Sequence, residues 1–321
     1  MKRRTILKST VLGAMLALTG LPAFAADLRI VTTLPSFREP FFVYMQQALN
    51  KAGEIHGLEI IEADGEGDSN TQSAHIARAI AMEVDGIIIS PIDVNALAPA
   101  IEEAVEAGIP VVTIDRRVEG VEGLIGHVGA DNVEGGRAQG RWVMDQFPDG
   151  ARILNIRGRP GSSPAIDRNA GLHEILDGNE KYVFVAEQTA NWLRDEAYRV
   201  TETVFAGLDV ADYPTVIVSA SDAMGFGVQE AIEQFGVRTT IPHITFDAAP
   251  ATLASIQDGT AGGGFAATID QWPGAQSEAA VVMMMNFLTD GTRPETEITL
   301  LAPGSVGTEN LSESERFDEL N

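Results

Sequence analysis

The 321 residues, 45 % hydrophobic and 21 % charged, suffice for about two domains with sizeable cores; a small stapled scaffold, a mostly disordered chain and a polytopic membrane protein are excluded. Lys and Arg number 22 against 46 Asp and Glu, a formal charge of −24, and so acidic a surface repels phosphate backbones and anionic lipid, leaving no expectation of a nucleic-acid or membrane-surface partner. The chain has no cysteine, which removes thiol nucleophiles, disulfides, Cys-type zinc sites and iron–sulfur clusters.

The chain opens on Lys2-Arg3-Arg4, continues through an apolar run from Ile6 to Leu21 and reaches the A-x-A signal Ala23-Phe24-Ala25. Residues 1–25 read as a removed export signal peptide. Their apolar core, Val11 to Leu18, is too short for a hydrocarbon layer of about 30 Å. The segment from Arg3 to Lys8 resembles a twin-arginine export motif, so the mature protein is expected in the periplasm.

After Ala26, short runs rich in Val and Ile recur at Leu28–Val31, Leu58–Ile61, Gly86–Ile89, Pro110–Ile114, Arg152–Ile156, Tyr182–Val185, Thr215–Val218, His243–Phe246 and Phe265–Ile269. Continuous apolar runs suit strands buried on both faces. Stretches with helical spacing lie between them, such as Leu97, Ile101, Ala104 and Val105, with Asp93 or Asn95 as N-cap and Gly108 and Pro110 as the stop. Repeated βα units predict an α/β fold of parallel sheets covered by helices. The polar, Gly-rich stretch from Gly126 to Arg137 interrupts this rhythm and, with the length, favours two lobes; no Pro- or Ser-rich linker occurs, so short crossovers join them.

In open α/β sheets ligands sit beyond the carboxyl ends of strands. Those ends carry Thr32 to Phe42, Ser90 to Asp93, Asp115 to Arg117, Arg157 to Arg168, Asn191-Trp192, Ser221-Asp222, Asp247 and Asp270 to Trp272. They are acids, arginines, amides and aromatics, with no nucleophile–base pair among them. His56, His75, His127, His173 and His243 are dispersed, and neither HExxH nor a Walker A pattern occurs. Gly225-Phe226-Gly227 lacks the last glycine of GxGxxG, and the loop from Asp64 to Asp68 has His75 where an ion-binding loop needs its twelfth-position acid, so it reads as a βα turn. No metal and no cofactor are expected. Asp222 reads as the N-cap of a helix beginning near Ala223, Asp131-Asn132 as a crossover, and Met283-Met284-Met285 as helix core.

Pro40-Phe41-Phe42, Val112 to Arg116, Asp131 to Gly136, Arg168 to Leu172, Ser221 to Gly225, Thr245-Phe246-Asp247 and Ala266 to Gln271 together resemble the ribose-type sugar-binding proteins of bacterial ABC importers. The resemblance runs from about residue 27 to about residue 300. It implies a type I periplasmic binding protein fold: two Rossmann-like lobes joined by a three-strand hinge, the first formed by 26–130 and 272–300, the second by 131–271 and 301–321. It further implies a monomer that captures a small-molecule sugar or polyol and delivers it to an ABC transporter permease. Carried across residue by residue, Phe41, Phe42 and Trp192 would sandwich the sugar ring, while Asp115, Arg116, Arg168, Asp247 and Gln271 would bond its hydroxyls. Three positions depart from the ribose pattern: Glu39 and Ser221 stand where those proteins carry Asn, and Trp192 where they usually carry the smaller Phe. An acceptor-only carboxylate and a short hydroxyl thus replace two amides, which disfavours ribose. Planar carboxylate, guanidinium and carboxamide groups each meet two neighbouring hydroxyls, and aromatic rings cover the apolar C–H faces of a sugar. The charges presented, two arginines against two aspartates and Glu39, predict a neutral ligand. The alternative on such a scaffold is a secreted sugar-modifying enzyme, an isomerase or hydrolase working through carboxylates.

Overall fold

Runs such as Gly86–Ile89 and Val111–Ile114 are buried along their whole length, as strands covered on both faces must be. The computed structural model describes residues 28–238, 240–259 and 264–320, and the expected export signal lies outside them. Two six-stranded sheets result. The first contains β1 (Leu28–Leu34), β2 (Leu58–Asp64), β3 (Gly86–Ile89), β4 (Val111–Ile114), β5 (Gly126–Ala130) and β11 (Ile298–Leu301), in the order β11-β5-β4-β3-β1-β2 and parallel throughout. The second contains β6 (Ala151–Arg157), β7 (Tyr182–Thr189), β8 (Val216–Ser219), β9 (His243–Phe246), β10 (Phe265–Asp270) and β12 (Gly304–Val306), in the order β12-β10-β9-β8-β6-β7. Only β12 in this sheet runs antiparallel to its neighbour.

Helices cover both faces of each sheet. On the first, α1 (Pro40–His56) and α9 (Pro273–Asp290) pack together over one core, while α2 (Ser69–Ala81) and α3 (Ala98–Glu106) close the other. On the second, α4 (Asn132–Gln146) pairs with α5 (Ser163–Leu176), and α6 (Arg194–Ala206) with α7 (Asp222–Gln234). A smaller core joins α8 (Pro250–Gln257) to β10, β12 and the C-terminal segment. The chain passes between the sheets three times, from β5 into α4, from β10 into α9, and from β11 into β12. The second and third crossings are tied to each other, because Trp272 Nε1 donates to Ala302 O at 2.8 Å.

The nine expected strands are all present, and three more join them. Gly126–Ala130 is a fully buried strand, where the sequence reads as an interruption; its Gly-His-Val-Gly-Ala composition has a single branched residue, Val128, and so no run of the kind that marks strands. β12, Gly-Ser-Val, is too short to show an apolar run, and β11, Ile-Thr-Leu-Leu, is an edge strand whose Ile298 and Leu300 are exposed. Two caps are corrected. Helix α3 has Leu97 at its N-cap, while Asp93 accepts from Asn95 N and Ala96 N in the preceding turn. Helix α7 begins at Asp222 itself, and its N-cap is Ser221, whose hydroxyl accepts from Met224 N. The Asp64–Asp68 loop is a βα turn in which Asp64 accepts from Phe37 N and Glu66 N and Asp68 caps α2. Met283 and Met284 are buried in the core beneath α9, with Met285 packed at its edge.

Candidate ligand-binding site

Loops at the carboxyl ends of strands from both sheets meet at one cavity of about 380 Å³. All ten residues singled out for binding line it: Glu39, Phe41, Phe42, Asp115, Arg116, Arg168, Trp192, Ser221, Asp247 and Gln271. Three of them have positive φ, Asp115 at 59°, Trp192 at 70° and Asp247 at 110°. L-residues adopt this region at a cost of about 1–3 kcal/mol, and such strain persists only where the surroundings enforce it and clusters at functional sites.

The first sheet supplies the charged and aromatic wall. Pro40 opens α1 at a position where its missing N–H costs nothing, and Phe41 and Phe42 follow it with their rings edge to face at 5.1 Å. Glu39 occupies the N-cap position but caps nothing with its side chain; instead it accepts from Arg116 Nη2 at 3.3 Å. The Arg116 guanidinium lies 4.9 Å from the Phe42 ring centroid and 5.7 Å from that of Trp192. Asp115 accepts from Ser90 Oγ at 3.3 Å, and one of its oxygens is 3.7 Å from Arg116 Nε. Burial pushes the Glu39 carboxyl up to about 7 against the opposing pull of Arg116 and Arg159. Its one side-chain bond among the described residues is as an acceptor, from Arg116.

The second sheet holds its arginine more tightly. Arg168 donates through Nε to Asn132 Oδ1 at 2.8 Å, through Nη1 to Ala220 O at 2.6 Å and through Nη2 to Gln271 Oε1 at 3.0 Å. Its plane stacks on Phe246, 3.5 Å from the ring centroid. Gln271 Nε2 donates to Asp247 Oδ1 at 2.6 Å, which fixes the orientation of that amide. Burial raises the Asp115 and Asp247 carboxyls, with the neighbouring arginines opposing it, and desolvation lowers Arg168 to about 10. Trp192 faces Arg116 and Arg168, and its far edge lies against the backbone at Gly158, where an added Cβ would overlap the indole.

Sequence reasoning missed three contributors. Asp222, assigned to a helix cap, instead accepts from Ala249 N at 2.7 Å and Thr268 Oγ1 at 3.1 Å and so shapes the loop that presents Asp247. Burial raises its carboxyl to about 7. Asn132 stands at the first crossover, as expected, yet also anchors Arg168. Arg316 reaches the cavity wall from the C-terminal segment, its guanidinium 3.8 Å from the Tyr44 ring centroid; no motif announces it.

Three buried donors at this cavity, Arg116 Nε, Arg116 Nη1 and Trp192 Nε1, bond to no protein group among the described residues. All three are shielded from solvent by the surrounding protein. Gln271 engages one Asp247 oxygen and Ser90 one Asp115 oxygen, leaving a second oxygen of each to receive hydroxyls. Among the described residues no group of three or more His, Asp or Glu side chains is placed to hold a metal ion.

The profile of the periplasmic binding protein domain matches residues 30–292. The ribose import binding protein of Bacillus subtilis (strain 168) is 32 % identical over 236 residues, 72 % of this chain and 73 % of that protein. The D-apiose import binding protein of Actinobacillus succinogenes is 25 % identical over 314 residues, 97 % and 98 % of the two chains. The crystal structure of the Caulobacter myo-inositol binding protein bound to myo-inositol superposes with a TM-score of 0.86 at 33 % identity, covering 92 % of this chain and 98 % of that one. These relatives are binding proteins, and the sugar-modifying enzyme falls with them. The chain belongs to the periplasmic binding protein family, as a type I solute-binding protein of an ABC importer that acts in the periplasm and catalyses no reaction.

Proposed function

We propose that the cavity between the two sheets is the solute site, that Glu39, Phe41, Phe42, Asp115, Arg116, Arg168, Trp192, Ser221, Asp247 and Gln271 form it, and that its solute is a neutral cyclic polyol or sugar. The observation that carries this reading is the convergence on one cavity of about 380 Å³ of donor side chains, Arg116, Arg168 and Gln271, with half-engaged carboxylates, Asp115 and Asp247. A polyol ring supplies both complements, since every hydroxyl donates and accepts. The two arginines proposed to meet the solute already face carboxylates, Arg116 facing Glu39 and Asp115 and Arg168 facing Asp247, so neither offers an uncompensated charge to a phosphate or carboxylate. The likeness to the myo-inositol binding protein makes that cyclic polyol the first compound to try.

Strand membership supports dividing the lobes at 26–130 with 272–300 and 131–271 with the tail. The third crossing is best set at Ala302-Pro303, because Leu301 still pairs with Ala130. Solute bound to one lobe draws the other down by rotation about the three crossings, and the permease reads the closed arrangement. A thermal-shift panel of myo-inositol, D-ribose, D-apiose, D-glucose and D-glucuronate tests the assignment. A neutral member at 100 times its Kd should stabilise the protein by about 2.7 kcal/mol, with glucuronate inert; preference for glucuronate would refute it.

A further inference from the structure

At the rim of the cleft, outside the residues that line the cavity, one segment of the second lobe touches three loops of the first. Arg117 and Asp167 form a two-point ion pair, Nη1 to Oδ2 and Nη2 to Oδ1, the second bond 3.1 Å long. Arg117 N donates to Ser163 Oγ at 3.0 Å. Nearby, Val94 N donates to Gly161 O at 2.9 Å, and Arg159 Nη1 donates to Gly67 O at 3.3 Å. Arg117, Val94 and Gly67 follow strands of the first sheet, whereas residues 159–167 follow β6 of the second. Each contact is polar, so each group can be rehydrated when the lobes part.

The placement couples these contacts to the solute. Arg116 faces the cavity and its neighbour Arg117 faces the opposite lobe; in α5, Arg168 faces the cavity and its neighbour Asp167 faces back. Any solute that brings Arg116 and Arg168 to the same ring brings Arg117 and Asp167 into register. The pair is 31 % and 16 % exposed, and its forked geometry demands one relative orientation of the lobes.

We propose that Arg117 and Asp167 form a closure latch, an ion pair made only when the lobes shut, which sets how long solute is retained although neither residue touches it. They are positioning residues acting through the lobe arrangement, and the inference rests on the proposed placement of solute between the lobes. The Ser163 hydroxyl, accepting from Arg117 N, and the Gly161 carbonyl, accepting from Val94 N, align the pair, and Gly161 is a required glycine. Its φ is +82°, and a Cβ there would overlap the Asp93 carboxylate, which two backbone donors pin.

The test uses Arg117→Gln, Asp167→Asn and the double variant in the full mature protein. Because the chain has no cysteine, Glu102→Cys and Glu180→Cys, both exposed and one on each lobe, accept spin labels that report the interlobe distance. Solute-free wild type should show a closed minority that either substitution depletes. With myo-inositol as probe, each single variant should release it roughly 3- to 30-fold faster, with association nearly unchanged, as expected for a half-buried pair. The double variant should be no worse than the worse single variant, the mark of direct coupling. Solute-free melting temperatures should stay within about 2 °C of wild type, which separates a latch from a fold-supporting pair. Interlobe distances in solute-free wild type indistinguishable from both variants, or strictly additive effects, would overturn the latch. If myo-inositol fails to bind wild type, the proposed solute class is at fault, and the solute-free distances still decide the latch.

Discussion

Arg168 Nε donates to Asn132 Oδ1 at 2.8 Å, and the same guanidinium donates to Gln271 at 3.0 Å. Asn132 begins the helix after the first crossing between lobes, and Gln271 ends the segment before the second. The arginine proposed to meet the solute is thereby fastened to two of the three hinge strands, so a displacement of its head group is felt where the lobes rotate. Asn132→Ala should weaken binding of the solute by roughly 10- to 100-fold, the range for a lost buried hydrogen bond to a charged group. Asn132→Asp should bind nearly as well as wild type, since it still accepts from Nε. Calorimetry on the two variants checks this; equal losses in both would show that Asn132 does not act through Arg168.

Asp115→Ala, Arg168→Ala and Asp247→Ala should each cost roughly 2–4 kcal/mol of binding, because each leaves a charged partner unpaired in a closed cleft. Binding measured together with the melting temperature of solute-free protein separates this from a fold role. Full affinity in all three variants would place the solute elsewhere.

Trp192 depends on a residue with no side chain. Gly158→Ala puts a methyl group into the indole and should displace the ring, reducing affinity about as much as Trp192→Ala while leaving the fold intact. Trp192→Phe should be milder, because a ring still covers the sugar face. Wild-type affinity and unaltered tryptophan fluorescence in Gly158→Ala would contradict this packing.

Glu39 gives a pH dependence with a definite sign. Its folded-state carboxyl is raised from 4.5 to about 7, so between these values the folded protein binds more protons than the unfolded chain, and the contribution is full below about 4.5 and lost as pH rises through 7. Stability of the solute-free closed form should therefore decline from pH 5 to pH 8, and Glu39→Gln should flatten that decline by on the order of 1–2 kcal/mol. Asp222, also raised to about 7, leaves a residual slope. Denaturant titrations at pH 5, 6.5 and 8 measure it; identical slopes in wild type and variant would show that Glu39 is solvated.

The C-terminal segment straps the hinge. Glu315 accepts from Gly274 N at 2.9 Å and Ala275 N at 2.7 Å at the start of α9, and Asp270 accepts from Ser314 Oγ and Glu315 N. Glu315→Ala should lower stability by about 1–2 kcal/mol, as for the loss of a helix N-terminal cap with its charge. Thermal unfolding in the absence of solute would reveal it, and no change would mean the segment merely rests on the surface.

The buried strands were legible because double-sided burial forces continuous Val and Ile runs, as in Gly86–Ile89 and Val216–Ser219. β5 was not, since a single Val among glycines, a histidine and an alanine makes no apolar run. The ten residues proposed for the site were singled out by strand-end position and family resemblance, and all line one cavity. Their protonation was hidden, because the shift at Glu39 arises from burial between α1 and the β4–β5 loop, a property of packing and not of spacing. Asp222 looked like a cap because Asp before a helix commonly is one; only the fold brings Ala249 N and Thr268 Oγ1 to it. Arg316, more than 120 residues from the nearest cavity arginine of the second lobe, had no local signal at all.

The most direct test of the central claim is a calorimetric titration of the mature protein with myo-inositol and, separately, D-glucuronate, repeated on Arg168→Ala. A pocket in which Arg116 and Arg168 are already faced by carboxylates should bind the neutral polyol stoichiometrically at one site, ignore the acid, and lose most of its affinity with Arg168. Tighter binding of the acid, or polyol binding unaffected by loss of Arg168, would contradict the account.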